Sequence, residues 1–207
     1  MIAQLRRWLQ PLMLLALPLA LSACGINTIP TRDEQVKAAW ADVQNQYQRR
    51  SDLIPNLVAT VRGYAQQERD VLTAVTQARA QATQVRVDAS TLTDPAAFQA
   101  YEAAQDRLSG VLGRLLAITE NYPDLKSNQN FLVLQSQLEG TENRIAVARR
   151  DYNEAVRSYN TEIRTFPGVL WANTLYRDMK PALPFTATAQ AQSAPTVNFD
   201  FNPGGSP

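Results

Sequence analysis

The sequence predicts an all-α protein, an antiparallel up-and-down bundle of about four long helices. Three observations carry that prediction. Glycine is sparse between Thr31 and Phe166, while Ala, Gln, Arg, Leu and Glu dominate, a helix-forming composition. Apolar residues recur at helical spacing through most of that stretch. The interruptions, Asp88 to Pro95 and Asn121 to Gln129, are short and rich in caps, proline and turn formers, so neighbouring helices run antiparallel.

The elements follow in order. Residues 24–32 read as a tether, after which Thr31 or Asp33 caps a helix with Glu34 in its first turn. An apolar stripe then runs through Val36, Trp40, Val43, Tyr47, Ile54, Leu57, Val61, Tyr64, Val71, Val75, Ala78, Ala82 and Val85. Pro55 interrupts it. Asp52 can cap a new helix there, with the proline in its tolerated first turn, which gives four helices; the unbroken phase of the stripe fits a kinked helix, which gives three. Because proline inside a helix costs roughly 3 kcal/mol, a turn at Pro55 is expected.

A second stripe holds Phe98, Tyr101, Leu108, Leu112, Leu115, Ile118 and Tyr122. The third is the most regular. Phe131, Leu138, Ile145, Tyr152, Tyr159 and Phe166 stand seven apart, with Leu134, Thr141, Ala148 and Ala155 as a small-residue companion seam. That pattern predicts a helix from about Asn128 to Thr165. Past Phe166-Pro167-Gly168 a short amphipathic piece holds Val169, Leu170, Trp171 and Leu175, and the helical bundle is placed at residues 33–178. Residues 179–207 are Pro, Ala, Gln, Thr and Ser rich, and they read as a disordered tail because they hold too little apolar area to offset chain entropy.

The N-terminus carries a different message. Arg6 and Arg7 precede an apolar run from Trp8 to Leu21 that ends in small residues, so residues 1–23 read as a signal peptide. The run is shorter than the roughly 20 residues that span a bilayer, and Pro11 and Pro18 interrupt it. Leu21-Ser22-Ala23-Cys24 resembles the lipobox of bacterial lipoproteins, which implies cleavage after Ala23 and a lipid on Cys24. The expected location is the cell envelope, tethered to a membrane and facing away from the cytoplasm. Gly25 in second place, instead of an aspartate, points by the same analogy to the outer membrane of a two-membrane host, with the inner membrane as the alternative.

Composition excludes much chemistry. The chain has 20 basic and 19 acidic residues, and no basic field suggests nucleic acid. It has no histidine and one cysteine, so the usual general base, zinc ligand and pH switch are missing together. No metal, cofactor or catalytic residue is expected.

A few polar residues stand out. Arg50 and Glu68 fall on apolar seams, as partner contacts or, by the blander reading, as register-setting ion pairs or snorkelling side chains. Asn153 and Asn160 are seven apart beside Tyr152 and Tyr159, which suits them to fixing core packing. Glu139 and Glu142 are a close carboxylate pair at a spacing common on solvated helix faces. Tyr122-Pro123-Asp124-Leu125-Lys126-Ser127-Asn128 is either a helix terminus with its caps or a recognition loop at one end of the bundle. Tyr122, Asp124, Lys126 and Asn128, with the edge of Glu142, Asn143 and Arg144, are the candidate partner-binding residues. At 1.5 Å per residue that edge lies about 21 Å down the helix from the loop, so the two form a strip and not a pocket. Trp40 sits on a seam and reads as core, while Trp171 suits either core or a membrane interface.

Three stretches together resemble the LemA family of bacterial envelope proteins. They are Ala39-Trp40-Ala41 through Gln48-Arg49-Arg50-Ser51-Asp52-Leu53-Ile54-Pro55-Asn56-Leu57-Val58 to Gly63-Tyr64-Ala65; Tyr122 to Asn128; and Thr141-Glu142-Asn143-Arg144-Ile145-Ala146 with Ala148-Arg149, Tyr152-Asn153 and Tyr159-Asn160-Thr161. The resemblance implies a helical bundle on a membrane anchor with no established catalytic activity. Members commonly keep an uncleaved anchor helix, and the lipobox-like Cys24 departs from that. The expected function is a non-catalytic scaffold or partner-binding module for an envelope protein. The alternatives are a spacer between membrane and wall, or a carboxylate-based hydrolase.

Overall fold

The computed structural model describes residues 25–85, 88 and 90–186. The expected signal peptide, Cys24 and residues 187–207 lie outside the described residues. Within them the order is α1 (Thr28–Tyr64), α2 (Arg69–Gln84), a single 3₁₀ turn (Thr91–Thr93), α3 (Pro95–Thr119), α4 (Pro123–Lys126), α5 (Gln129–Glu162) and α6 (Gly168–Ala172). The fold is an all-α bundle, and four of these helices are long. No helix among the described residues is long and apolar enough to cross a membrane.

α1 and α5 form an antiparallel pair along the full length of the molecule. Tyr64 at the end of α1 meets Asn128 at the start of α5, with the Asn128 Nδ2 donating to the phenol oxygen at 2.8 Å. At the opposite end Gly25 lies beside Pro167. α2 and α3 make a second antiparallel hairpin that packs on the first. The small members of the α5 seam, Thr141 and Ala148, are buried. Asp94 caps α3 by accepting from Ala96 and Ala97 N–H, with Pro95 in the first turn. Asn128 caps α5 by accepting from Phe131 N–H at 3.0 Å.

The turn expected at Pro55 does not occur: α1 passes straight through it. Proline at position 55 leaves the carbonyl of Ser51 without its helical donor. Arg79 of α2 supplies one, its Nε–H reaching the Ser51 oxygen at 2.8 Å. A bond from a neighbouring helix replaces the missing one, so the helix continues. The chain reverses ten residues later, at Ala65 to Glu68, and the count of four long helices arises from that break. Glu68 therefore sits at a corner and not on a continuous seam.

Three other boundaries differ from expectation. α1 begins at Thr28, before Thr31 and Asp33, because Pro30 falls in the first turn, where N–H groups have no helical partner. α5 ends at Glu162, which leaves Phe166 outside the seam it continues in sequence, and 80% exposed. Residues 179–186, expected in the tail, pack on the bundle, with Ala182 and Phe185 buried.

The core divides into two apolar halves. One holds Ile29, Val36, Trp40, Val43 and Tyr47 against Phe98, Tyr101, Ile145, Tyr152 and Tyr159. The other holds Ile54, Leu57 and Val61 against Leu72, Val75, Leu108, Leu112, Leu115, Phe131 and Leu138. Between Tyr47 and Ile54 the seam carries Arg50, between Tyr101 and Leu108 it carries Gln105, and between Leu138 and Ile145 it carries Thr141. A polar layer crosses the bundle at that level.

Candidate functional site

Arg50 is the centre of the polar layer and is 1% exposed. Its Nη1 donates to Ser109 Oγ at 2.5 Å and to Glu142 Oε1 at 3.0 Å. Its Nη2 donates to Gln105 Oε1 at 2.6 Å and to the Gln105 carbonyl at 3.3 Å. The guanidinium lies 5.0 Å from the centroid of the Tyr47 ring. Gln105 in turn donates to the Ala82 carbonyl at 3.4 Å. With the Arg79 bond to Ser51, one layer ties α1, α2, α3 and α5 together.

Such a layer suits register control. Four of the five N–H donors of a buried arginine find acceptors here only in this register, so sliding one helix past another leaves a charge unpaired. The Arg50 Nε and Ser51 Oγ are buried without a partner among the described residues, and a crevice of about 150 Å³ opens beside Ser51, lined also by Tyr47, Tyr101 and Gln105. Burial pushes the Tyr47 phenol above its ordinary range. Of the two expected seam charges, Arg50 forms the ion pair, and its partner is Glu142. Glu68 instead accepts the Tyr122 hydroxyl at 2.8 Å, and that bond raises the phenol pKa.

The loop residues are divided between structure and solvent. Tyr122 anchors the loop to the α1–α2 corner and Asn128 caps α5. Leu125 is fully buried. Lys126 pairs with Glu120, and both are exposed. Asp124 is exposed, and its carboxylate makes no bond among the described residues. Asn143 and Arg144 are exposed and line a groove of about 320 Å³ with Asp42, Gln46, Val147 and Asp151. Glu142 turns away from that groove toward Arg50. The loop and the Asn143–Arg144 groove thus lie on the same long pair of helices without meeting. Glu139, exposed, bonds Gln135, so the two carboxylates at positions 139 and 142 serve separate contacts.

Asn153 and Asn160 do something more specific than fill the core. Asn153 Oδ1 accepts from Phe185 N–H at 2.9 Å and its Nδ2 donates to Phe185 C=O at 3.0 Å. Asn160 treats Ala182 in the same way, at 3.0 and 2.8 Å. Tyr152 and Tyr159 donate to the carbonyls of Leu183 and Lys180 at 2.8 and 3.1 Å. Seven helical residues rise about 10.5 Å, while three extended residues span roughly 10 Å. The heptad of α5 therefore matches a three-residue step in residues 179–186, an extended strap, and Pro181 and Pro184, which have no N–H to place, fall at the unclamped positions. Phe185 completes an aromatic cluster with Trp40, Phe98 and Tyr152, at centroid distances of 5.8, 5.1 and 5.4 Å, under the Arg149 guanidinium at 4.3 Å.

Sequence reasoning missed this strap, and it missed Gln105, Ser109 and Arg79 as the partners of the polar layer. Gln105 carried a signal, since it falls between Tyr101 and Leu108 on an apolar seam as Arg50 does. The strap carried another in its prolines three apart.

The chain is similar in sequence to known proteins. The chain is 27% identical over 157 residues to the magnetosome proteins MamQ 1 and MamQ 2 of Paramagnetospirillum magneticum, covering 68% of this chain and 58% of each relative. It is 25% identical over 174 residues to protein LemA of Metamycoplasma hominis, covering 84% of this chain and 73% of that one. The match thus spans less than two thirds of the magnetosome relatives. The model of the LemA family matches residues 39–199, most of the sequence. This chain belongs to the LemA family.

Proposed function

We propose that this chain is a non-catalytic, membrane-anchored bundle of the cell envelope that holds a partner-binding surface away from the membrane. The observation that carries the reading is the placement of the two ends. The chain enters at Gly25, beside Pro167, and the Tyr122 to Asn128 loop sits at the other end of α1. From Thr28 to Tyr64 the helix rises about 54 Å. Family membership supports the membrane association and the lack of catalytic machinery. The anchor is a lipid on Cys24, with residues 1–23 removed, and the outer membrane is its place in a host with two membranes.

The recognition surface in this reading is the solvent-facing part of the loop, Asp124 and Lys126, continued by Asn143 and Arg144. Tyr122, Asn128 and Glu142 position it from behind. Replacing Asp124 and Lys126 by alanine removes two exposed charges and leaves Pro123, Leu125 and the Asn128 cap in place. The expected result is an unchanged melting temperature with loss of a reproducible set of proximity-labelled envelope proteins. A variant that keeps that set, or loses stability by a cap-sized amount of roughly 1 kcal/mol, removes the loop from the binding surface. Diffuse labelling of the wall by the unaltered chain would instead support the spacer reading.

A further inference from the structure

We propose that the end of the bundle carrying Phe166, Leu170 and Leu175 rests in an anionic lipid surface, beside Gly25, the residue that follows the proposed lipid-bearing Cys24. The inference rests on the anchored reading above and adds a second membrane contact to it. Phe166, Leu170 and Leu175 are 80%, 51% and 59% exposed, and they are the three most exposed large apolar residues among those described. The other four, Tyr64, Leu132, Val133 and Val147, are all less exposed and lie along the shaft or at the far end. Three such side chains within ten residues are not the scattered singles that a soluble surface carries without consequence.

Position identifies the occupant. Gly25, with a φ of 132°, turns the chain at this end, and a Cβ placed on it would lie 3.5 Å from Pro167 Cγ. Gly25 follows Cys24 directly in sequence, so an anchor on Cys24 is one peptide bond from this end of the bundle. A membrane that holds a lipid on Cys24 is therefore within reach of Phe166, the neighbour of Pro167 in sequence.

Charge agrees. The exposed charges of residues 163–180 are Arg164, Arg177 and Lys180 against Asp178 alone, in a chain that is otherwise near neutral. The acids at the start of α1, Asp33 and Glu34, are paired with Lys37 at 2.8 and 2.7 Å. Cations near an apolar rim favour anionic headgroups while the apolar residues enter the acyl boundary. Two contacts, the lipid on Cys24 and the interfacial side chains, hold the long axis away from the membrane plane where a tether alone leaves it free to fall.

The test places an environment-sensitive fluorescent amino acid at Leu170, or at Val133 on the shaft, in the full chain bound to vesicles of phosphatidylethanolamine and phosphatidylglycerol. Flotation reads attachment separately. The expected result is a floating chain whose probe is blue-shifted and quenched by spin-labelled lipid at position 170, and aqueous at position 133. A floating chain with an aqueous probe at 170 overturns the second contact and leaves the anchor intact. Equal shifts at both positions overturn it too, since the bundle then lies flat. A chain that does not float overturns both.

Discussion

Arg50 is the residue on which most of the bundle's geometry converges. Its guanidinium bonds side chains of two helices besides its own, α3 and α5, and no water shell replaces those contacts when one is lost. Arg50→Ala leaves the acceptors of Gln105 and Ser109 unpaired in a buried layer, and it opens a cavity beside Tyr47. The expected destabilisation is about 3–5 kcal/mol in chemical denaturation. Glu142→Gln keeps an acceptor for Arg50 on a side chain that is 39% exposed. That change is expected to cost about 1 kcal/mol or less, because the charge it removes is partly solvated. Equal losses for the two variants would contradict a layer centred on the arginine. The sequence showed Arg50 as anomalous because a charge interrupted an apolar seam. It did not show the partners, since Gln105, Ser109 and Glu142 come from segments more than fifty residues away.

At the scale of elements, the helices that were easiest to read are those whose signal is local. α3 and α5 were legible from periodicity, and α5 also from its cap Asn128, because the caps Asp94 and Asn128 act within three residues of themselves. The break between α1 and α2 was not. Residues 65–68 contain no proline or glycine, whereas Pro55 gave the strongest breaker signal and is overruled by Arg79 of another helix. Arg79→Leu is therefore expected to act through α1: hydrogen exchange at residues 51–58 should accelerate, while α3 and α5 stay protected. The strap offers a second check. Asn153→Ala and Asn160→Ala each remove two hydrogen bonds to strap backbone, so limited proteolysis should cut near Lys180 sooner in either variant, with helicity retained. Glycine matters at one corner. A Cβ on Gly168 would overlap the carbonyl of Glu162, so Gly168→Ala is expected to cost about 1–3 kcal/mol by forcing α6 away from the end of α5.

At the scale of the whole molecule, four tyrosines are buried in one apolar half, and no histidine titrates anywhere. Burial raises the phenol pKa values of Tyr47, Tyr101 and Tyr152, and it raises Tyr159 to about 12 from an ordinary 10.0. The folded state thus holds these protons more tightly than the unfolded chain. Their contribution to stability is complete below pH 10 and declines as pH rises from the unfolded value through the folded one, a window of about 10 to 12 for Tyr159. Melting temperature is expected to be level from about pH 6 to 9 and to fall across that window, together with the appearance of phenolate absorbance. A fall centred near pH 6 to 7 would contradict it.

The same scale carries the functional account, in which one end meets lipid and the other meets a partner. Photo-crosslinking in the native envelope, from a reactive amino acid at Asp124 in one chain and at Phe166 in another, tests both halves at once. The expected result is a short, repeatable set of protein adducts from position 124 and lipid adducts from position 166. Lipid adducts from position 124, or the same protein adducts from both positions, would contradict a bundle that stands on the membrane and offers its far end.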